Sequence, residues 1–254
     1  MRLDARLLLP TVAMTVRSPL RSVGVGGGAV RMNLFGDLFD DKLKPITPYE
    51  RPLLSGLVKS DASMYVLQEK MFSFSGEDFE VKDLSGGRVI QIDGANINLG
   101  GFVLDKLAFR DAGGQKFCSV ERRALAASTC YDIYSADGKT LLAKVERDWI
   151  PASPKYKFYY EGDMNPFADF EAEGSFSDRA YTFRAGGDCI ARVKRAPELV
   201  KDLDSYTVEV AGGVDAAAIL AVAVIIDEDH DEEDAKKAKE KKDKGEEGGF
   251  WPFS

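Results

Sequence analysis

Histidine is almost missing from this sequence: 254 residues contain one, His230. That scarcity removes most routes to histidine-held metals and to general-base catalysis near neutral pH. Cysteine is scarce too. Cys118, Cys130 and Cys189 make an odd number without a C-x-x-C pair, so neither a disulfide framework nor a zinc site is signalled, and a reducing compartment fits. No apolar run is long enough to span a bilayer: Leu7 to Met14 is broken by Pro10 and Thr11. Clustered positive charge is lacking overall. The formal net charge is −8, which excludes nucleic acid as a partner, because affinity for the phosphate backbone rests on gathered Lys and Arg.

Arrangements that carry chemistry fail one by one. A nucleophile would need His230, which lies in an acidic stretch away from the strand-like region. Glu77 and Asp78 are adjacent carboxylates of the kind found in a solvated turn. An EF-hand loop starting at Asp227 needs Gly at position 232 and Glu at 238, where the chain has Glu232 and Ala238. The cluster from Gly24 to Gly28 follows no strand and opens no helix, so it is no nucleotide loop. The expectation is a protein without catalytic residues, cofactor or metal, and not an enzyme.

What is present falls into four parts. Residues 1–31 hold Arg2, Arg6, Arg17, Arg21 and Arg31 with the single acid Asp4, the composition of an organelle transit peptide. A plastid is favoured over a mitochondrion, with the cytoplasm as the alternative. Without those residues the charge moves from −8 to −12, five Arg and one Asp being removed. Residues 32–59 read as a linker, 60–230 as the folded domain, and 231–254 as a charged tail that continues the acidic run begun at Asp227.

Within 60–230 the pattern is alternation, the period of strands with one buried face. Leu141, Ala143 and Val145 alternate with Lys144 and Glu146; Tyr156, Phe158 and Tyr160 with Lys155, Lys157 and Glu161; Tyr181 and Phe183 with Thr182 and Arg184. Turn signals separate the runs, among them Gly86-Gly87, Gly113-Gly114, Asp137-Gly138 and Gly186-Gly187. Val214 to Ile226 departs from this rhythm. Asp215 suits a helix cap, and positions 216–226 show no polar face, so this helix, about 215–227, must be covered on all sides. At roughly 18 Å it is too short for a membrane and fits a barrel interior. The fold class expected is mainly β: a closed antiparallel barrel around a hydrophobic C-terminal helix.

Four segments, in this order, resemble the LURP-one-related family of the tubby C-terminal-like superfamily. They are Tyr65 to Lys70, Phe72 to Phe79, Asp105 to Gly114, and Asp204 to Val210 leading through Gly212, Gly213 and Asp215 into the apolar helix. The resemblance covers about residues 60–230. It implies about a dozen strands around a central helix. Relatives at the superfamily level include phosphoinositide-binding tubby proteins and phospholipid scramblases, and no catalytic residue is carried over.

Three functions follow as expectations. The first is a non-enzymatic binding or scaffold module with an unidentified protein partner. The second is a peripheral protein binding anionic phospholipid, phosphoinositide included, through a basic outer wall of Arg122, Arg123, Lys144, Arg147, Arg192, Lys194 and Arg195. The third is a small-molecule carrier using the barrel mouth, where the aromatic groups Trp149-Ile150-Pro151 and Tyr159-Tyr160 concentrate.

Overall fold

The computed structural model describes residues 41–69, 79–99, 102–123, 128–148, 154–162, 166–195 and 205–230. The expected leader, the tail 231–254, Glu77-Asp78 and Trp149-Ile150-Pro151 lie outside the described residues. All described residues belong to one unit, Phe35–Ser254.

Twelve strands follow one another along the chain: β1 Ser63–Glu69, β2 Phe79–Asp83, β3 Arg88–Leu99, β4 Phe102–Asp111, β5 Lys116–Arg122, β6 Cys130–Ser135, β7 Leu141–Arg147, β8 Tyr156–Tyr160, β9 Phe170–Ser175, β10 Ala180–Ala185, β11 Asp188–Lys194 and β12 Ser205–Val210. Each pairs antiparallel with its neighbours in sequence, and β1 pairs with β12, closing the barrel. Closure removes the exposed edge that an open sheet must protect. Short hairpins are built from local chemistry. In the β2–β3 turn, Asp83 Oδ1 accepts from the N–H groups of Ser85 and Gly87, both at 2.9 Å. Gly86 there takes the left-handed conformation that closes such a turn, at φ 84°.

Residues 216–230 form a helix, α1, along the barrel interior. At about 1.5 Å per residue it is about 22 Å long. A strand of seven residues, at about 3.3 Å each, is equally long, so α1 matches the length of the wall strands around it. From Ala216 to Ile225 every residue is fully buried. Five of them are alanines, and the wall supplies the bulk: Tyr156, Tyr181, Tyr206, Phe79, Phe109, Phe158 and Phe183 are completely enclosed. A slim helix inside an aromatic-lined wall reaches close packing without a wide lumen.

Two expectations change here. Residues 41–59, read as part of a linker, are packed: Leu53 and Leu57 are buried, and Leu57 sits in a single 3-10 turn, Ser55–Leu57. The helix, expected to end at about 227, runs on to His230 and carries the start of the acidic run inside the barrel. Asp227 and Asp229 are 9% and 2% exposed on the last turns of α1. His230 is helical as well, its ring 5.9 Å from that of Phe176.

Candidate functional site at the barrel mouth

α1 enters the barrel at Asp215, and this end is where polar groups, aromatic rings and a cavity meet. Asp215 Oδ1 accepts from Ala217 N at 3.1 Å, capping the helix. Its Oδ2 accepts from Leu53 N at 2.6 Å and from the Tyr160 hydroxyl at 3.0 Å. Burial pushes the Asp215 carboxyl above the ordinary carboxylate range, against these bonds. The same burial, with the Asp215 charge beside it, drives the Tyr160 hydroxyl far up, so it stays a donor. Tyr160 sits at the end of β8 with its backbone N–H held by Asp169 Oδ2 at 2.8 Å. The Tyr49 ring lies flat on the Tyr160 ring, 3.7 Å between centroids and 16° between planes.

The turn before the helix explains why glycine stands there twice. A Cβ on Gly212 would lie 2.2 Å from the Ser60 carbonyl oxygen, and one on Gly213 would lie 1.9 Å from that of Ile46. Gly213 is also left-handed, at φ 81°. Two backbone passes therefore cross this turn where no side chain fits. Below them is a cavity of about 90 Å³, lined by Ile46, Tyr49, Tyr160, Phe170, Val214 and Asp215 among others. That is room for a few water molecules, whereas ligand pockets commonly measure about 300–1,000 Å³. A carrier of small molecules finds too little space here.

The expected basic wall does not assemble. Strand β7 carries Lys144 and Arg147, and β11 carries Arg192 and Lys194, four strands away among twelve. Alternation divides β7 further. Ala143, Val145 and Arg147 share the inward face, and Lys144 and Glu146 the outward one. Arg147 Nη1 reaches inside to Asp229 at 2.7 Å, where the Tyr156 hydroxyl donates to the same oxygen at 2.6 Å. Arg122, cross-strand from Tyr131, has its guanidinium 6.0 Å from that ring. Four further cations are matched by carboxylates: Arg123 with Asp132 at 2.6 Å, Lys144 with Glu146 at 2.9 Å, Arg192 with Glu209 at 2.6 Å and Lys194 with Glu209 at 3.5 Å. Arg195 is exposed just beyond β11.

Sequence reasoning missed the groups at the far end of α1. Arg179 donates from Nε and Nη2 to the two Asp227 oxygens, each at 3.1 Å. The signal was present in the chain: acids that continue a buried helix need partners, and Arg147 has the parity of two core residues. The three cysteines are all buried, with thiols pushed up by burial, Cys130 to about 11. Among the described residues no group of three or more His, Cys, Asp or Glu is placed to hold a metal ion. No helix among them is long and apolar enough to cross a membrane.

A closed twelve-stranded antiparallel barrel around one buried C-terminal helix defines the class of protein. The family model for LURP-one-related proteins matches residues 63–227, and the chain belongs to that family. The fold is similar to the X-ray structure of a protein from Arabidopsis thaliana, with a TM-score of 0.52 and 16% sequence identity, over 71% of this chain and 98% of that one. No curated protein matches the chain.

Proposed function

We propose that the protein is a non-enzymatic binding or scaffold module that offers the surface of its barrel to a protein partner. The observation that carries this reading is the pairing of the expected basic wall: at least five of its seven cations lie in ion pairs among the described residues. A cation already matched by a carboxylate has little to offer a lipid phosphate. The net charge of −8 adds repulsion from anionic membranes. With α1 filling the interior, recognition falls to the outer surface and the mouths.

Phospholipid binding is the competing reading, and vesicle flotation separates the two. Full-length protein is mixed with vesicles carrying phosphoinositide or phosphatidylserine across a salt series. The proposal expects the protein to stay at the bottom of the gradient at every salt concentration. Flotation at low salt that fades as salt rises would replace it with the phospholipid reading. The triple charge reversal of Arg192, Lys194 and Arg195 would then test whether that sector is the contact.

A further inference from the structure

Residues 41–58 cross the Asp215 mouth as a bound peptide would. Lys44 N donates to the Cys189 carbonyl at 2.9 Å and Ile46 N to that of Gly212 at 3.0 Å, donors two residues apart as an extended chain presents them on one side. Tyr49 then stacks on Tyr160, and Leu53 N binds Asp215. Leu53 and Leu57 are buried, and Val58 forms an antiparallel bridge with Asp215. The receiving groups on Tyr160, Cys189, Gly212 and Asp215 all lie within the family-matched residues 63–227. The groups they receive all precede residue 63. The mouth of the family-matched region is covered by chain that precedes that region.

We propose that this mouth is a peptide-recognition groove with residues 41–58 as its occupant in cis. Its partner in trans is an extended segment of another protein, with an aromatic side chain for Tyr160 and two aliphatic ones for the places of Leu53 and Leu57. This rests on the protein-binding reading above and gives it a location.

Three features of the mouth suit an exchangeable occupant. Its hydrogen bonds go to main-chain donors, which any extended segment supplies, while the ring and the two leucines carry selectivity. Gly213 clears the floor where the visiting backbone passes at Ile46. The present occupant also underfills the groove. A cavity of about 90 Å³, partly open and lined by the exposed Ile46 and the half-buried Tyr49, leaves room in which a bulkier side chain would gain contacts. Two peripheral ion pairs are exposed and hold weakly, whereas Asp41 with Arg184, 21% exposed at the arginine, is more enclosed. Lys44 and Asp188 are 62% and 50% exposed at their side chains, and Arg51 is 3.9 Å from Glu161 with exposures of 84% and 62%.

A tethered occupant competes at an effective concentration on the order of millimolar, so loosening it should uncover binding in trans. The experiment uses the full chain, as wild type and as Tyr49→Ala. The Tyr49 ring is only half buried, and the variant keeps both buried leucines. The probe is a fluorescein-labelled synthetic peptide of residues 41–59 with the natural sequence, read by fluorescence anisotropy. We expect it to bind the Tyr49→Ala chain about tenfold more tightly than wild type, the factor lost with one aromatic stack. Unlabelled peptide should compete, and a labelled peptide that itself carries Tyr49→Ala should bind about tenfold more weakly. Equal affinity for both chains, or binding to neither, would overturn the proposal and make residues 41–58 a fixed part of the fold. Neither result touches the protein-binding reading, which vesicle flotation decides.

Discussion

Gly86 and Gly213 have nearly the same backbone, φ 84° and 81°, in different surroundings. A Cβ on Gly86 meets nothing within 4 Å, while one on Gly213 collides with the Ile46 carbonyl. Gly86→Ala should therefore cost only the left-handed strain of about 1–2 kcal/mol. Gly213→Ala should cost about 3 kcal/mol or more, because it also drives residue 46 from its hydrogen bond. Urea unfolding of both variants checks this, and equal losses would show that the mouth yields. Asp215 gives a second prediction at this scale. Its carboxyl titrates higher in the folded chain than in the unfolded one, so the folded chain holds that proton more tightly. Its contribution to stability then falls as pH rises from the unfolded value through the raised folded value. Asp215→Asn keeps an acceptor for Leu53 N and removes the titration. Wild-type stability relative to the variant should decline with rising pH across that window; a level difference over about pH 3–8 would refute it. Gly213 and the cap at Asp215 were legible in the sequence as a glycine pair before an apolar helix. The reason for the pair was not, because the chain that crowds it, Ser60 and Ile46, comes from far earlier in the sequence.

Strand periodicity and the unbroken apolar face of α1 were readable, because each is written in consecutive residues. What closes the far end of the barrel is written in pairs that register brings together from distant strands. Arg147 illustrates the difference. Its charge placed it with Lys144 on the outer wall, but its parity places it with Ala143 and Val145, and the fold sends it inward to Asp229. The exposures of the two side chains are 19% and 3%. Removing one member of so enclosed a pair strands the other, at a cost of about 3 kcal/mol. Arg147→Met should lower the unfolding free energy by about that much. Arg123→Met, on a pair with exposures of 35% and 11%, should cost about 1 kcal/mol or less. Denaturant titration of the two variants measures the contrast, and a reversed order would place the wall pair, rather than the helix lock, at the centre of stability.

A barrel closed through β1 and β12 has no terminal strand to fray, so its buried groups are protected by the molecule as a whole. The thiols report on this. Cys118, Cys130 and Cys189 sit on three separate strands, all buried and all raised above the ordinary thiol range. At about pH 8 they should react with a thiol reagent at one common rate, the rate of global opening. Distinct rates would reveal sectors of the wall that open alone. One further consequence lies in the order of the elements along the chain. The wall is encoded by residues 63–210 and its core by 216–230. During synthesis at about 5–20 residues per second, twelve strands' worth of inward-facing tyrosine, phenylalanine and isoleucine leave the ribosome before the helix they are to cover exists. For that interval, on the order of ten seconds, the nascent chain is a wall without an interior, and the segment made after all twelve strands is the one that lets them fold.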